Sequence, residues 1–171
     1  MAEVAKKAVK KAKLTMDDIE SVGIGVPGAV NPKTGVIEYS ANLFFHNWEV
    51  VEMMEERLGK KVHIENDANA AALGEYLAGS AKGARNAVAI TLGTGVGGGI
   101  IREGRIVAGV NGAGGEIGHM PMVDDESECC GCGKKGCLEQ YASANGLVRV
   151  AERYIAAHRD VATKLDLNAG F

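Results

Sequence analysis

VAITLGTGVGGGIIREGRIVAG, residues 88–109, is the stretch whose reading decides the fold. Gly93, Gly95 and Gly98 satisfy the spacing G-x-G-x-x-G, which is shared with dinucleotide-binding turns. Such a turn needs a helix directly after its glycines, because the pyrophosphate rests on the helix N-terminus. Here the glycines run into IIREGRIV, which alternates and then turns at Glu-Gly, as a hairpin does. The stretch therefore predicts a meander of three strands, NAVAITLG (86–93), VGGGIIREG (96–104) and RIVAG (105–109), and excludes a Rossmann unit. The glycine tip stays open to two readings. Its backbone N–H groups form a cradle for phosphate, or it is a flexible turn without a ligand.

Upstream of the meander the pattern differs. AEVAKKAVKKAK (2–13) predicts a helix with Val4, Ala5, Ala8, Val9 and Ala12 on one face and lysines on the other. SVGIGVPG (21–28) reads as a strand ending in a turn, NPKTG (31–35) as a turn, and VIEYS (36–40) as a strand. WEVVEMMEERLGKK (48–61) predicts a helix stopped by Gly59, VHIEN (62–66) a strand, and DANAAALGEYLAG (67–79) a helix with Asp67 at its N-cap. This alternation implies an α/β layer with some parallel pairing. A further helix is expected over 141–158, and the tail DVATKLDLNAGF marks no domain end. The change of pattern near residue 84 divides the chain into 1–84 and 85–171, each expected to be part of an α/β lobe.

Of the 171 residues, 46% are hydrophobic and 24% charged, the balance of a globular protein with a real core. A net charge of −3 calls for neither nucleic acid nor an anionic membrane. No apolar run approaches the length of a bilayer span, and the lysine-rich start has no apolar signal core, so a cytosolic protein is expected.

All four cysteines fall between Cys129 and Cys137, a crowding that suits metal ligation better than a disulfide framework. His119, Cys130, Cys132 and Cys137 make a closed tetrahedral zinc set, with Gly131, Gly133 and Gly136 supplying small turns between the ligands. With four protein ligands the zinc is structural. Cys129 is a spare thiol that replaces Cys130 if the register shifts by one. A nucleic-acid knuckle is disfavoured, because GGEIGHMPMVDDESE (114–128) is acidic and lacks interleaved basic and aromatic residues.

Three acids carry candidate chemistry. Asp67 is a helix N-cap or a catalytic carboxylate. Glu116, flanked by glycines, is a loop acid in water or a ligand contact. Glu139 follows the last zinc ligand by two residues, either as a first-turn helix acid or as a carboxylate held rigid by the metal.

The stretches GIGVPGAVNPKTGVI, IENDANAAALGEY, TLGTGVGGGII, GAGGEIGHMPM and CGCGKKGCLEQYAS together resemble the ROK (repressor, open reading frame, kinase) family of sugar kinases, especially its glucokinases. The resemblance covers residues 22–145. It implies a partial actin-like ATPase fold, ribonuclease H-like, with two α/β lobes and sugar bound in the cleft between them. It implies phosphorylation of a hexose at its 6-hydroxyl, glucose above others, with ATP and Mg2+ and a structural Zn2+. Asp67 matches the catalytic base, and Asn66 a sugar contact beside it. Glu116, His119 and Glu139 match further sugar contacts, and Gly28 and Asn42 lie where the N-terminal lobe touches sugar. Gly93, Thr94 and Gly95 match a phosphate loop. The sugar-sensing domain of a ROK transcriptional repressor is the alternative. Full members open on Asp-x-Gly-Gly-Thr and are commonly homodimers. No such motif occurs here, so the resemblance implies an internal piece of a kinase, impaired by itself.

Overall fold

Val22, Ile24 and Val26 alternate with small and polar residues, as do Val62 and Ile64. Each run forms a strand in the computed structural model of the chain, which describes residues 1–40 and 43–159. These strands, β1 (Ser21–Val26) and β5 (Lys61–Asn66), pair in parallel from Ser21↔Lys61 to Val26↔Asn66. Between them lies an antiparallel sheet in the order β2–β3–β4, made of Ala29–Asn31, Val36–Ser40 and Phe45–Trp48, followed by helix α2 (Val50–Leu58). Helix α1 (Ala2–Lys11) precedes β1, and α3 (Asp67–Ala78) follows β5 directly. The predicted meander is present as β6 (Asn86–Leu92), β7 (Val96–Arg102) and β8 (Arg105–Ile106), in that sheet order. Helices α4 (Glu139–Ala142) and α5 (Ala144–Ala157) close the described chain. No helix among the described residues is long and apolar enough to cross a membrane.

The chain divides into two compact units, each discontinuous in sequence. The first comprises Met1–Ala89 and Gly99–Gly115. The second comprises Ile90–Gly98 and the described residues from Glu116 onward. The boundary crosses β6 and β7, where the sequence predicts a single break near residue 84.

The core of the first unit is aliphatic. Val26, Val30, Ile37, Val50, Met54, Leu58, Val62 and Ile64 are all buried together. Val50, Met54 and Leu58 are spaced i, i+4, i+8, so α2 lays one stripe on this cluster; burying each such side chain contributes about 1.5–3 kcal/mol. Gly59 ends α2 in the left-handed conformation. Gly99, in β7, serves close approach. A Cβ there would lie 2.8 Å from the Ala68 carbonyl oxygen and overlap the Ala72 side chain, so the bare backbone of β7 packs on the alanine face of α3.

Four local expectations are corrected. Trp48 belongs to β4, and α2 begins at Val50. The helix expected over 141–158 is two helices broken at Ser143, whose hydroxyl caps α5 by accepting the Gly146 amide at 2.9 Å. In α1, Ala2, Ala5 and Val9 are the shielded line while Val4 and Ala8 are exposed. The fourth concerns Asp67.

Candidate functional site

Asn66, and not Asp67, caps α3. Its Oδ1 accepts the Asn69 amide at 3.0 Å, while its Nδ2 donates to the Gly28 carbonyl at 3.1 Å. This side chain thus ties the end of β5 to the turn after β1 and satisfies one of the helix's orphan N–H groups. Asp67 is relieved of that duty. It is exposed at the first helical position, and one of its oxygens accepts the Ala68 amide at 2.9 Å. Behind it, the buried Asn69 donates to Glu65 at 3.2 Å, and the same Glu65 oxygen accepts the Asn66 amide at 2.9 Å. The first unit therefore groups Gly28, Asn66 and Asp67 on adjoining turns. Asn42 lies outside the described residues.

The second unit groups the others. His119, Cys130, Cys132 and Cys137 bring their ligand atoms within 4.8 Å of one another. Cys130 Sγ lies 3.6 Å from His119 Nδ1, and Cys132 Sγ lies 3.7 Å from Cys137 Sγ. A tetrahedral zinc with Zn–S bonds near 2.3 Å and Zn–N bonds near 2.0 Å has ligand–ligand edges of roughly 3.5–3.8 Å. The donor set and its spacing fit that ion. Cys129 stands outside the set, exposed, with its backbone bridged to Lys135. Burial, and then the neighbouring thiols, push the Cys137 thiol up to about 12. With Nδ1 facing the sulfurs, His119 turns Nε2 outward, 3.6 Å from Glu116. The imidazole thus links the cysteine set to the exposed acid ahead of it.

Backbone bonds fold the cysteine loop on itself. The Cys130 amide donates to the Lys134 carbonyl at 2.7 Å and the Met122 amide to the Gly136 carbonyl at 2.7 Å. Gln140 closes the loop from the side, accepting the Cys137 amide and donating to the Glu128 carbonyl, both at 3.1 Å.

Glu139 does not stand alone in water. Its Oε2 accepts the Val96 amide at 2.9 Å, in the space that a Cβ on Gly95 would occupy. The Gly93 carbonyl accepts the Ala144 amide at 2.9 Å, so the N-terminus of α5 abuts the glycine turn although it lies far along the chain. Gly93 and Thr94 are exposed.

A charged network that the sequence reading does not contain supports this loop. Glu126, with a side chain 2% exposed, accepts from Tyr141 at 2.6 Å and from both terminal nitrogens of Arg153 at 3.0 and 3.1 Å. Arg149 donates to Glu128 at 3.1 Å and to the Gln140 carbonyl at 2.6 Å. The bonds from Arg153 first, then those from Tyr141 and the Glu128 amide, hold the Glu126 carboxyl far below the usual range. The available signal was Arg149 and Arg153 at i, i+4 on α5, matching Glu126 and Glu128 two apart on a loop.

Comparison with known proteins gives consistent relatives. The model of the ROK family matches residues 1–167. A glucokinase of Halalkalibacterium halodurans is 40% identical over 166 residues, covering 97% of this chain and 50% of that protein. A xylose repressor of Caldicellulosiruptor bescii is 33% identical over 153 residues, covering 90% of this chain and 38% of the repressor. Among solved structures, a ROK family glucokinase from Streptomyces griseus in complex with glucose and AMPPNP superposes with a TM-score of 0.78 at 39% identity, covering 93% of this chain and 50% of that one. The chain thus spans about half the length of the relatives it matches.

Proposed function

The chain belongs to the ROK family and carries part of its actin-like α/β fold, and from that premise we propose that the protein is a hexose kinase of the glucokinase type. It transfers the γ-phosphoryl group of ATP, with Mg2+, to the 6-hydroxyl of a hexose, glucose above others, in the cytosol. The observation that carries this reading is Asp67. It is an exposed carboxylate at the head of a helix that another residue caps, so the capping role does not account for it. As the base, it accepts the proton of the attacking hydroxyl.

Phosphoryl transfer asks the protein mainly for positioning. Gly28, Asn42 and Asn66 of the first unit and Glu116, His119 and Glu139 of the second recognise the sugar hydroxyls. An analogue lacking a hydroxyl leaves its partner unsatisfied and is rejected. The backbone at Gly93, Thr94 and Gly95 holds phosphate. His119, Cys130, Cys132 and Cys137 hold a structural zinc, which fixes the imidazole so that Nε2 keeps its outward direction.

A glucose-dependent phosphoryl-transfer assay on the complete reading frame, wild type beside Asp67→Asn, tests the proposal. We expect a loss of about 10²–10⁴-fold in turnover with glucose affinity retained. A second reading, the sugar-sensing domain of a repressor, is favoured by the xylose repressor relative at 33% identity. Wild type that binds sugar but transfers no phosphate selects that reading. Wild type that binds no sugar sinks both.

A further inference from the structure

Glu139 offers its two oxygens to different parts of the second unit. Oε2 accepts the Val96 amide at 2.9 Å, and Oε1 lies 3.7 Å from Cys130 Sγ. Val96 opens β7 directly after the glycine turn, and Cys130 is one of the four clustered ligands. The turn has little of its own to hold it. Within it one backbone bond runs from the Gly93 amide to the Gly95 carbonyl at 3.0 Å, and two of its three residues have no side chain. Among the described residues, its hydrogen-bonded anchors from outside the meander come from one short stretch, 137–144. That stretch carries a metal-set cysteine (Cys137), the carboxylate that holds Val96, and the Ala144 amide that holds Gly93.

We infer that Glu139 is a positioning residue through which occupancy of the Cys3His set orders the glycine turn. The metal then does more than staple its own loop. By fixing Cys137, two residues ahead of Glu139, it fixes the start of α4, and Glu139 passes that constraint to the amide that ends the turn. A Cβ on Gly95 would displace the carboxylate from this place. The inference rests on the zinc reading above and is independent of the phosphoryl-transfer reading.

Amide hydrogen exchange tests it, with metal content measured on the same samples, in wild type, Glu139→Ala and Glu139→Gln. In zinc-loaded wild type the Val96 amide is protected. Chelation speeds exchange at Val96 and at residues 93–95 by about tenfold or more, the effect of losing one ordinary hydrogen bond on a local opening equilibrium. Zinc-loaded Glu139→Ala exchanges fast at Val96 without chelation. Glu139→Gln, whose side-chain carbonyl still accepts from Val96, keeps the protection and the zinc response. Wild-type protection at Val96 in zinc-loaded Glu139→Ala overturns the inference. So does chelation that speeds the Cys130 and Gly133 amides of the metal loop and leaves Val96 unchanged. Should chelation unfold the chain, wild-type protection at Val96 in zinc-loaded Glu139→Ala still overturns the inference. Protein that takes up no zinc removes the zinc reading and this inference together.

Discussion

Asn66 and Asn69 face each other across the first turn of α3, the Asn66 side-chain oxygen accepting the Asn69 amide at 3.0 Å. Because the other end of Asn66 braces the Gly28 carbonyl, one side chain serves both a helix end and a turn. Asn66→Ala is expected to cost about 0.5–2 kcal/mol of stability, the range for a lost N-cap. Asp67→Ala is expected to change stability by less than about 0.5 kcal/mol, as an exposed substitution does. Urea unfolding of the two variants checks the order. A larger loss for Asp67→Ala would return Asp67 to a structural role.

Gly99 packs against α3 with no room for a side chain. Gly99→Ala is expected to destabilise by about 1–3 kcal/mol through overpacking against backbone, which relaxes less readily than a flexible side chain. Thermal unfolding measures it. A variant as stable as wild type would mean that β7 and α3 move apart at little cost.

The exclusion of Cys129 from the metal set predicts distinct thiol behaviour. In zinc-loaded protein a chromogenic disulfide reagent should titrate Cys129 quickly and Cys130, Cys132 and Cys137 slowly. Cys129→Ser should retain zinc, whereas Cys130→Ser should lose it on dialysis. Retention by the second variant and loss by the first would shift the ligand register by one residue.

Folding lowers the Glu126 carboxyl below its ordinary value of 4.5, so between the two values the folded state binds fewer protons than the unfolded state. Its contribution is therefore complete above about pH 5.5 and drains away as the pH falls through 4.5 and lower. The difference in Tm between wild type and Glu126→Gln should be constant from neutral pH down to this point and shrink below it. A difference that grows on acidification would mean that the Arg153 pair does not hold in solution.

Elements whose side chains repeat at 2 or 3.6 residues were legible in the sequence, because burial on one face imposes that period: β1, β5, α2 and the β6–β8 meander. Strand β4 was not. In FHNW only Phe45 packs against the core, so no alternation marks the strand, and it joins β3 through backbone pairing, with Asn47 at a φ of 50°. Asn66 and Asp67 both suit an N-cap, and local preference alone does not choose between neighbours. The backbone did, since Asn66 has the extended ψ of 141° that a cap needs. The clustering of His119 with Cys130, Cys132 and Cys137 was readable because thiol and imidazole groups at short spacing leave few alternatives. The Glu126–Arg153 and Glu139–Val96 contacts join residues 27 and 43 positions apart, and no local pattern encodes such a distance.

The parallel pairing of β1 with β5 has a consequence for synthesis. Ser21 finds its partner in Lys61, about forty residues later, and no hairpin shortens that wait. At ribosomal speeds roughly 2–8 s separate the synthesis of β1 from that of β5. The intervening β2–β4 sheet is local and ready first, so it gives the nascent chain something to collapse onto in that interval.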